Sequence, residues 1–321
     1  MSAYILRFGF AIWLATCLAS ALIIWLMPQL PPSELLVFVA RDSGQRQLMI
    51  ADLSRGMRAT LAAAGGEVFQ PSISPHTRET VFASRAGGDA ELYTLRPGEA
   101  APRQLTDNAH DDSHPHWSPD GTSILFQADP QGVAQIFLMD ADGGNRRQLS
   151  FNETDYSRPS WSPDGRSLVY DAGGDIFVYD IASGASRALT HDGQGAYDEY
   201  GDAQAVWSPN GGIIVYDSFR EGSWNLYQLD LASGIVRALT AGGRDEQHAT
   251  FTNQPGQIAF QSVTEIPGLL FLLDLDRPSE LRALTIPPDY GSPLHLLFGN
   301  VQALALDGID ILEPDWLRNP E

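Results

Sequence analysis

Three near copies of one five-residue string punctuate the chain: Trp117-Ser118-Pro119-Asp120-Gly121, Trp161-Ser162-Pro163-Asp164-Gly165 and Trp207-Ser208-Pro209-Asn210-Gly211. They stand about 45 residues apart, the length of one supersecondary unit in a propeller or solenoid. A polar residue, then proline, then glycine two places on is the order a type I turn prefers, so each string predicts a tight reversal between two strands. An alternating apolar segment follows each turn (Ser123 to Ala128, Ser167 to Ala172, Ile213 to Ser218). A second comes after it (Gln135 to Ala141, Asp175 to Ile181, Asn225 to Leu231), and both read as half-buried strands. Each unit then closes on a short string such as Arg103-Gln104-Leu105-Thr106, Arg147-Gln148-Leu149-Ser150, Arg187-Ala188-Leu189-Thr190, Arg237-Ala238-Leu239-Thr240 or Arg282-Ala283-Leu284-Thr285.

Weaker copies continue the array at Ser74-Pro75 with Thr80-Val81-Phe82, and at Gln257 to Ser262 with Leu269 to Leu275. At the ends, Leu35 to Ala40 with Gln47 to Leu53 lacks a first strand, and Leu294 to Pro314 lacks a last one. A four-stranded sheet cannot bury both faces alone, so such units stack around an axis. The expectation is an all-β propeller of four-stranded antiparallel blades, seven by this count. Six blades with extra terminal strands is the other arrangement the pattern allows.

The Trp-Ser-Pro-Asp-Gly string, the β-rich segment with an aromatic, the hairpin at Asp140-Ala141-Asp142-Gly143-Gly144-Asn145 and the closing Leu-Thr together resemble the TolB-type propeller repeat, over about residues 35 to 313. That resemblance implies a propeller that binds proteins or peptides, usually on the outer side of a bacterial cytoplasmic membrane. Related propellers gate prolyl-oligopeptidase-like enzymes. The member that gives the family its name carries a further α/β domain before its propeller, for which there is no room here, so its specific envelope role is not carried over.

From Phe8 to Met27 the chain is almost continuously apolar, long enough to cross a bilayer as a helix, and Pro28, Pro31 and Pro32 end the run. The apolar stretch continues past the small residues near Ala19-Ser20-Ala21, which favours an uncleaved signal anchor over a cleaved signal peptide. The expected organisation is a tail over 1–7, a transmembrane anchor over 8–27, a proline-rich linker over 28–34, a propeller over 35–315 and a tail over 316–321. Arg7 precedes the span and Arg41 follows it at a distance, a bias that places the propeller on the extracytoplasmic side.

The chain carries 40 acidic and 20 basic residues, the latter all arginine, for a formal charge of −20. Phosphate binding needs a basic surface, so nucleic acid is excluded as a partner. The single cysteine, Cys17, lies in the apolar segment, so the exported part holds no disulfide and rests on blade packing, as a monomer. Asp140 and Arg147, Asp180 and Arg187, and Asp230 and Arg237 recur across the last hairpin of their units and are expected to form cross-strand pairs belonging to the scaffold.

Function is sought where the units diverge. Three residues before the tryptophan position stand Gln70, His114, Arg158, Gln204 and His248. Upstream of these lie Asp111 and Asp112, Asp155 and Tyr156, Asp198, Glu199, Tyr200 and Asp202, and Asp245 and Glu246. With the first strand of each blade nearest the axis, these segments converge on one mouth of the channel as an acidic funnel. A protein or peptide in the cell envelope would dock there, with Tyr156, Arg158 and Tyr200 as anchors. A solvated acidic ring that merely keeps the protein soluble would read the same way.

His110, Asp111, Asp112, His114 and His116 crowd one loop, yet two histidines two apart are a weak metal signal without a third ligand. Asp140 to Asn145 opens like a calcium loop, but Phe151 stands where its last carboxylate belongs. No Gly-x-Ser-x-Gly elbow, phosphate loop or Cys-His zinc spacing occurs, so no cofactor is expected. A non-enzymatic binding module is the first reading, and a metal-dependent lactonase- or lyase-like propeller the alternative.

Overall fold

A computed structural model describes residues 35–42, 45–52, 57–62, 66–150, 156–191, 201–242, 245–252, 254–262, 270–283 and 310–316. The expected membrane anchor at 8–27 and the linker lie outside the described residues. Among those residues, no helix is long and apolar enough to cross a membrane.

The strands form six four-stranded antiparallel sheets. Blade 1 comprises Val68–Ile73, Thr80–Ser84, Glu91–Leu95 and Arg103–Gln104; blade 2 comprises Asp112–Trp117, Ser123–Ala128, Gln135–Asp140 and Arg147–Gln148. Blade 3 follows with Tyr156–Trp161, Ser167–Ala172, Asp175–Asp180 and Ser186–Ala188, and blade 4 with Asp202–Trp207, Ile213–Ser218, Asn225–Asp230 and Val236–Ala238. Blade 5 is Glu246–Phe251, Gln257–Ser262, Leu270–Asp274 and Arg277–Ala283. Blade 6 takes its first strand, Asp310–Trp316, from the end of the chain and the other three, Leu35–Asp42, Gln45–Asp52 and Met57–Ala62, from its beginning.

This closure corrects the count of seven. The two incomplete terminal units are halves of one blade: Leu36 lies opposite Trp316 and Ala40 opposite Ile311 in one antiparallel ladder. Each half lacks what the other supplies, and pairing them completes one four-stranded sheet. The first strands of successive blades touch one another in a closed ring, which sets them around the axis.

The repeated strings are explained by their hydrogen bonds. In each turn the glycine N–H (Gly121, Gly165, Gly211) donates to the serine carbonyl three residues back at 2.9–3.0 Å, with glycine φ between 67° and 73°. The hydroxyl of Ser118, Ser162 or Ser208 accepts the N–H of Ser123, Ser167 or Ile213. It donates in turn to Asp120, Asp164 or Asn210. The closing Leu-Thr is a latch. The leucine N–H extends the ladder to the third strand, and the hydroxyl oxygen of Thr106, Thr190 or Thr240 accepts the N–H of Leu92, Ile176 or Leu226, each at 2.9 Å.

Apolar cores lie between blades. Phe69, Val81 and Leu92 of blade 1 pack with Trp117, Ile124 and Phe137 of blade 2, and Leu125 and Ile136 of blade 2 with Trp161 and Leu168 of blade 3. The buried Trp161 indole donates to the His116 carbonyl of the preceding blade at 3.2 Å. Within blades 1 to 5, one aromatic pair bridges the second and third strands directly: Phe82–Tyr93, Phe126–Phe137, Tyr170–Phe177, Tyr216–Tyr227 and Phe260–Phe271, with ring centroids 5.5–6.1 Å apart.

The cross-strand ion pairs do not form as expected. The register sets Arg147 opposite Leu138, Arg187 opposite Val178 and Arg237 opposite Gln228. Asp180 and Asp230 instead accept the N–H and hydroxyl of Ser183 and Ser233 inside the hairpin, and these bonds hold both carboxyls below the ordinary value. Asp140 accepts the Asn145 amide at 2.6 Å. The Asp140–Asn145 segment is thus a hairpin turn.

Thr190→Val is expected to destabilise the protein by about 1–3 kcal/mol, because the Ile176 N–H is left buried without an acceptor. Thr190→Ser keeps the hydroxyl and is expected to lose much less; chemical denaturation of the two variants checks the difference.

Candidate functional site

Each first strand carries one extra residue relative to its partner: the register slips between Phe69 and Ser72, Ser113 and His116, Ser157 and Ser160, Ala203 and Val206, and Gln247 and Thr250. A bulge of this kind re-aims a side chain. The residue it displaces is the divergent one, and each stands at positive φ: Gln70 at 52°, His114 at 50°, Arg158 at 51°, Gln204 at 55° and His248 at 59°. Among the described residues, five of the eight non-glycine residues with positive φ are these five, so the strain is concentrated at one level of the ring. Left-handed backbone costs an L-residue about 1–2 kcal/mol. For Gln70, His114 and Arg158 the following proline narrows the backbone further. Strain repeated at one level is a reason to look for function there.

These residues line a single cavity of about 340 Å³ on the axis, walled by residues 70–71, 114–116, 158–160, 204–206 and 248–250. The backbone N–H freed by a bulge is taken by a side chain from the preceding blade. The His114 N–H donates to Gln70 Oε1 at 2.8 Å, the Gln204 N–H to Asp171 Oδ1 at 3.2 Å and the His248 N–H to Asp217 Oδ2 at 3.1 Å.

One tautomer follows from this. A backbone N–H can only donate, so the Gln70 oxygen faces it, and the Gln70 amide nitrogen faces His114 Nε2 at 2.6 Å. Nε2 is therefore an acceptor, and the ring proton sits on Nδ1, which contacts Ser113 Oγ at 3.3 Å. Protonating Nε2 would break this arrangement. Burial first, then the positive charge of Arg158, lowers the His114 pKa to about 3, and the same causes lower that of His248 to about 4. Burial pushes the Asp217 carboxyl well above the ordinary range, with Arg158 opposing.

The other described candidates lie off the cavity wall, and bond within their own blade or to the preceding one. Asp111 accepts the Ala90 N–H at 2.8 Å and pairs with Arg85. Asp245 does the same for the Trp224 N–H at 3.0 Å. Asp112 and Asp202 are buried against Arg146 and Arg220, at 3.4 and 3.0 Å. Burial raises both carboxyls and the arginines oppose it. Glu246 is buried and its N–H donates to the Trp224 carbonyl at 2.9 Å. Asp155 and Tyr200 lie outside the described residues, as does the side chain of Tyr156.

Blade 6 adds a position the sequence reading missed. Leu312 lies opposite Val39 and Asp315 opposite Val37, the same one-residue slip, so Glu313-Pro314 occupies the bulge. The signal was present: Glu313-Pro314-Asp315-Trp316 repeats the spacing of Arg158-Pro159-Ser160-Trp161. Its remoteness from the other copies concealed it. Among the described residues, no group of three or more His, Cys, Asp or Glu side chains is placed to hold a metal.

The PD40 TolB β-propeller domain matches residues 16–199. The chain belongs to this family. Its fold is similar to TolB from Acinetobacter baumannii, at a TM-score of 0.71 and 20% identity, over 90% of this chain and 67% of that one. A putative TolB from Agrobacterium tumefaciens has a TM-score of 0.61 and 19% identity, over 88% and 99% of the two chains. An oligogalacturonate lyase in complex with manganese shares the fold at a TM-score of 0.53 and 12% identity, over 79% and 73%. No curated protein matches the chain. At these identities the structural likenesses carry the fold alone.

The low folded-state values of the two histidines, against 6.5 ordinarily, fix a sign. Between pH 6.5 and 4 the unfolded chain takes up protons that the fold refuses, so the two rings make the fold less stable as pH falls. The raised Asp217 acts oppositely, its contribution complete below 3.8 and lost as pH rises. A His114→Gln/His248→Gln variant is expected to show a shallower fall in Tm from pH 6.5 to 4.5, and NMR of the native chain to show both rings neutral from pH 8 to 5.

Proposed function

We propose that this protein is a membrane-tethered, non-enzymatic propeller that docks a protein or peptide segment in the bacterial envelope, using the mouth of its channel. The observation that carries the reading is the ring of strained residues. Every blade builds the same bulge, five described copies place a polar side chain on one cavity, and those side chains differ. A scaffold needs the bulge to recur but has no need of different residues on it, whereas a surface that recognises one asymmetric partner does. Family membership supports a binding role. The tether rests on the apolar run from Phe8 to Met27.

Crosslinking of the full chain in native membranes, followed by capture, tests the docking role. Gln204→Trp, which fills the cavity whatever enters it, is expected to reduce recovery of the main partner at least tenfold with Tm unchanged. Equal recovery would remove the channel mouth from consideration. Stoichiometric metal in the purified protein, lost on replacing both His114 and His248, would favour the metal-dependent enzyme instead.

Orientation has its own test. A carboxy-terminal alkaline phosphatase fusion is expected to be active; a silent fusion, with a bright fluorescent-protein fusion, would put the propeller in the cytoplasm.

A further inference from the structure

We infer that the axial cavity is a receptor for a carboxylate, held by the Arg158 guanidinium and carried by the docked peptide on an acidic side chain or at its carboxy terminus. The inference rests on the docking role proposed above and names the group that enters.

Arg158 is the one cation on the described cavity wall. Six arginines among the described residues are matched to acids: Arg46 to Glu67, Arg85 to Asp111, Arg96 to Glu79, Arg146 to Asp112, Arg220 to Asp202 and Arg277 to Asp274. Among the described residues, Arg158 has no such ion pair and no hydrogen-bonded acceptor. Its charge is nevertheless felt by His114, His248 and Asp217 around it.

The polar groups nearby have other partners: Asp171 Oδ1 accepts the Gln204 N–H at 3.2 Å. Gln70 and Ser113 occupy both nitrogens of a neutral His114. Pro71, Pro115 and Pro159 supply rigid wall without an N–H. Asp217 stands behind the wall, fully buried, and burial favours its protonated form. His248 Nδ1 is buried without a partner, a second unspent polar group.

A half-buried guanidinium on a cavity wall calls for an anion, and its planar fork matches a carboxylate with two parallel bonds. One cation balances one negative charge, whereas a dianion would leave an excess charge buried. The net charge of −20 adds a further penalty for dianions. The preferred ligand is therefore a monoanionic carboxylate, and a cavity of about 340 Å³ admits a side chain or a chain end.

The test uses the full chain in detergent micelles and saturation-transfer NMR. N-acetylglycine represents a chain terminus, the α-amide of N-acetylglutamate an acidic side chain, N-acetylglycinamide the neutral control and sulfate the dianion. At least one carboxylate is expected to bind saturably, and which one binds identifies its source. Arg158→Gln is expected to weaken binding at least tenfold and Arg158→Lys less. N-acetylglycinamide is expected not to bind, and sulfate not to compete.

A second measurement needs no variant. The bound carboxylate is expected to slow modification of Arg158 by phenylglyoxal at least fivefold, read by peptide mass spectrometry. Carboxylate binding unchanged in Arg158→Gln, no protection of Arg158, or sulfate competing as well as carboxylate would each overturn the inference. If Gln204→Trp abolishes partner capture while neither carboxylate binds, the docking role stands and this inference falls.

Discussion

A four-stranded antiparallel sheet has two faces, and neither can be left apolar and wet. Burial of those faces between neighbouring blades is the constraint on which the rest of this protein depends. Phe82, Phe126, Tyr170, Tyr216 and Phe260 each meet an aromatic on the next strand of the same blade, and the tryptophans at 117, 161 and 207 seal the joint to the blade before. Such packing is satisfied everywhere only if the ring closes. Pairing Asp310–Trp316 with Leu35–Asp42 closes it in the backbone as well.

Closure has a consequence at the axis. First strands that touch around a ring leave little room between them, and a regular strand would turn alternate residues into the inter-blade cores. The recurring bulge adds one residue to each first strand and lets its side chain leave the core for the channel. The cost is left-handed backbone, offset by acceptors such as Gln70, Asp171 and Asp217 that the preceding blade contributes. Blade packing and channel chemistry are thus coupled, since the groups that shape the cavity are also those that join neighbours. The carboxylates of the next tier, Asp111 and Asp245, perform the same joining at the hairpins.

Much of this was legible in the residue order. The Ser-Pro-Asp-Gly turns, the alternating segments and the closing Leu-Thr are local devices, each satisfied within a few residues or across one hairpin, so their spacing predicted the four-stranded unit and its boundaries. The divergence at His114, Arg158, Gln204 and His248 was also visible, because the tryptophan string supplies a common origin for counting. Less legible was the role of the acidic residues. Asp112 and Asp202 looked like funnel groups in sequence, and are buried against Arg146 and Arg220 in the fold. The supposed cross-strand pairs at Asp180 and Asp230 failed because hairpin geometry moved the arginine partner two places along the strand.

By itself, then, the sequence determined the unit, because a turn, a strand and a hydroxyl latch are governed by interactions between near neighbours. It also determined which positions vary on that constant frame. Only the tertiary structure decided that there are six blades, since the two halves of blade 6 stand at opposite ends of the chain and no local rule connects Leu36 with Trp316. It decided as well that Gln70, His114, Arg158, Gln204 and His248 share one cavity, and that Glu313 takes the sixth place by register. Those groups are scores of residues apart, and what brings them together is the closing of a ring.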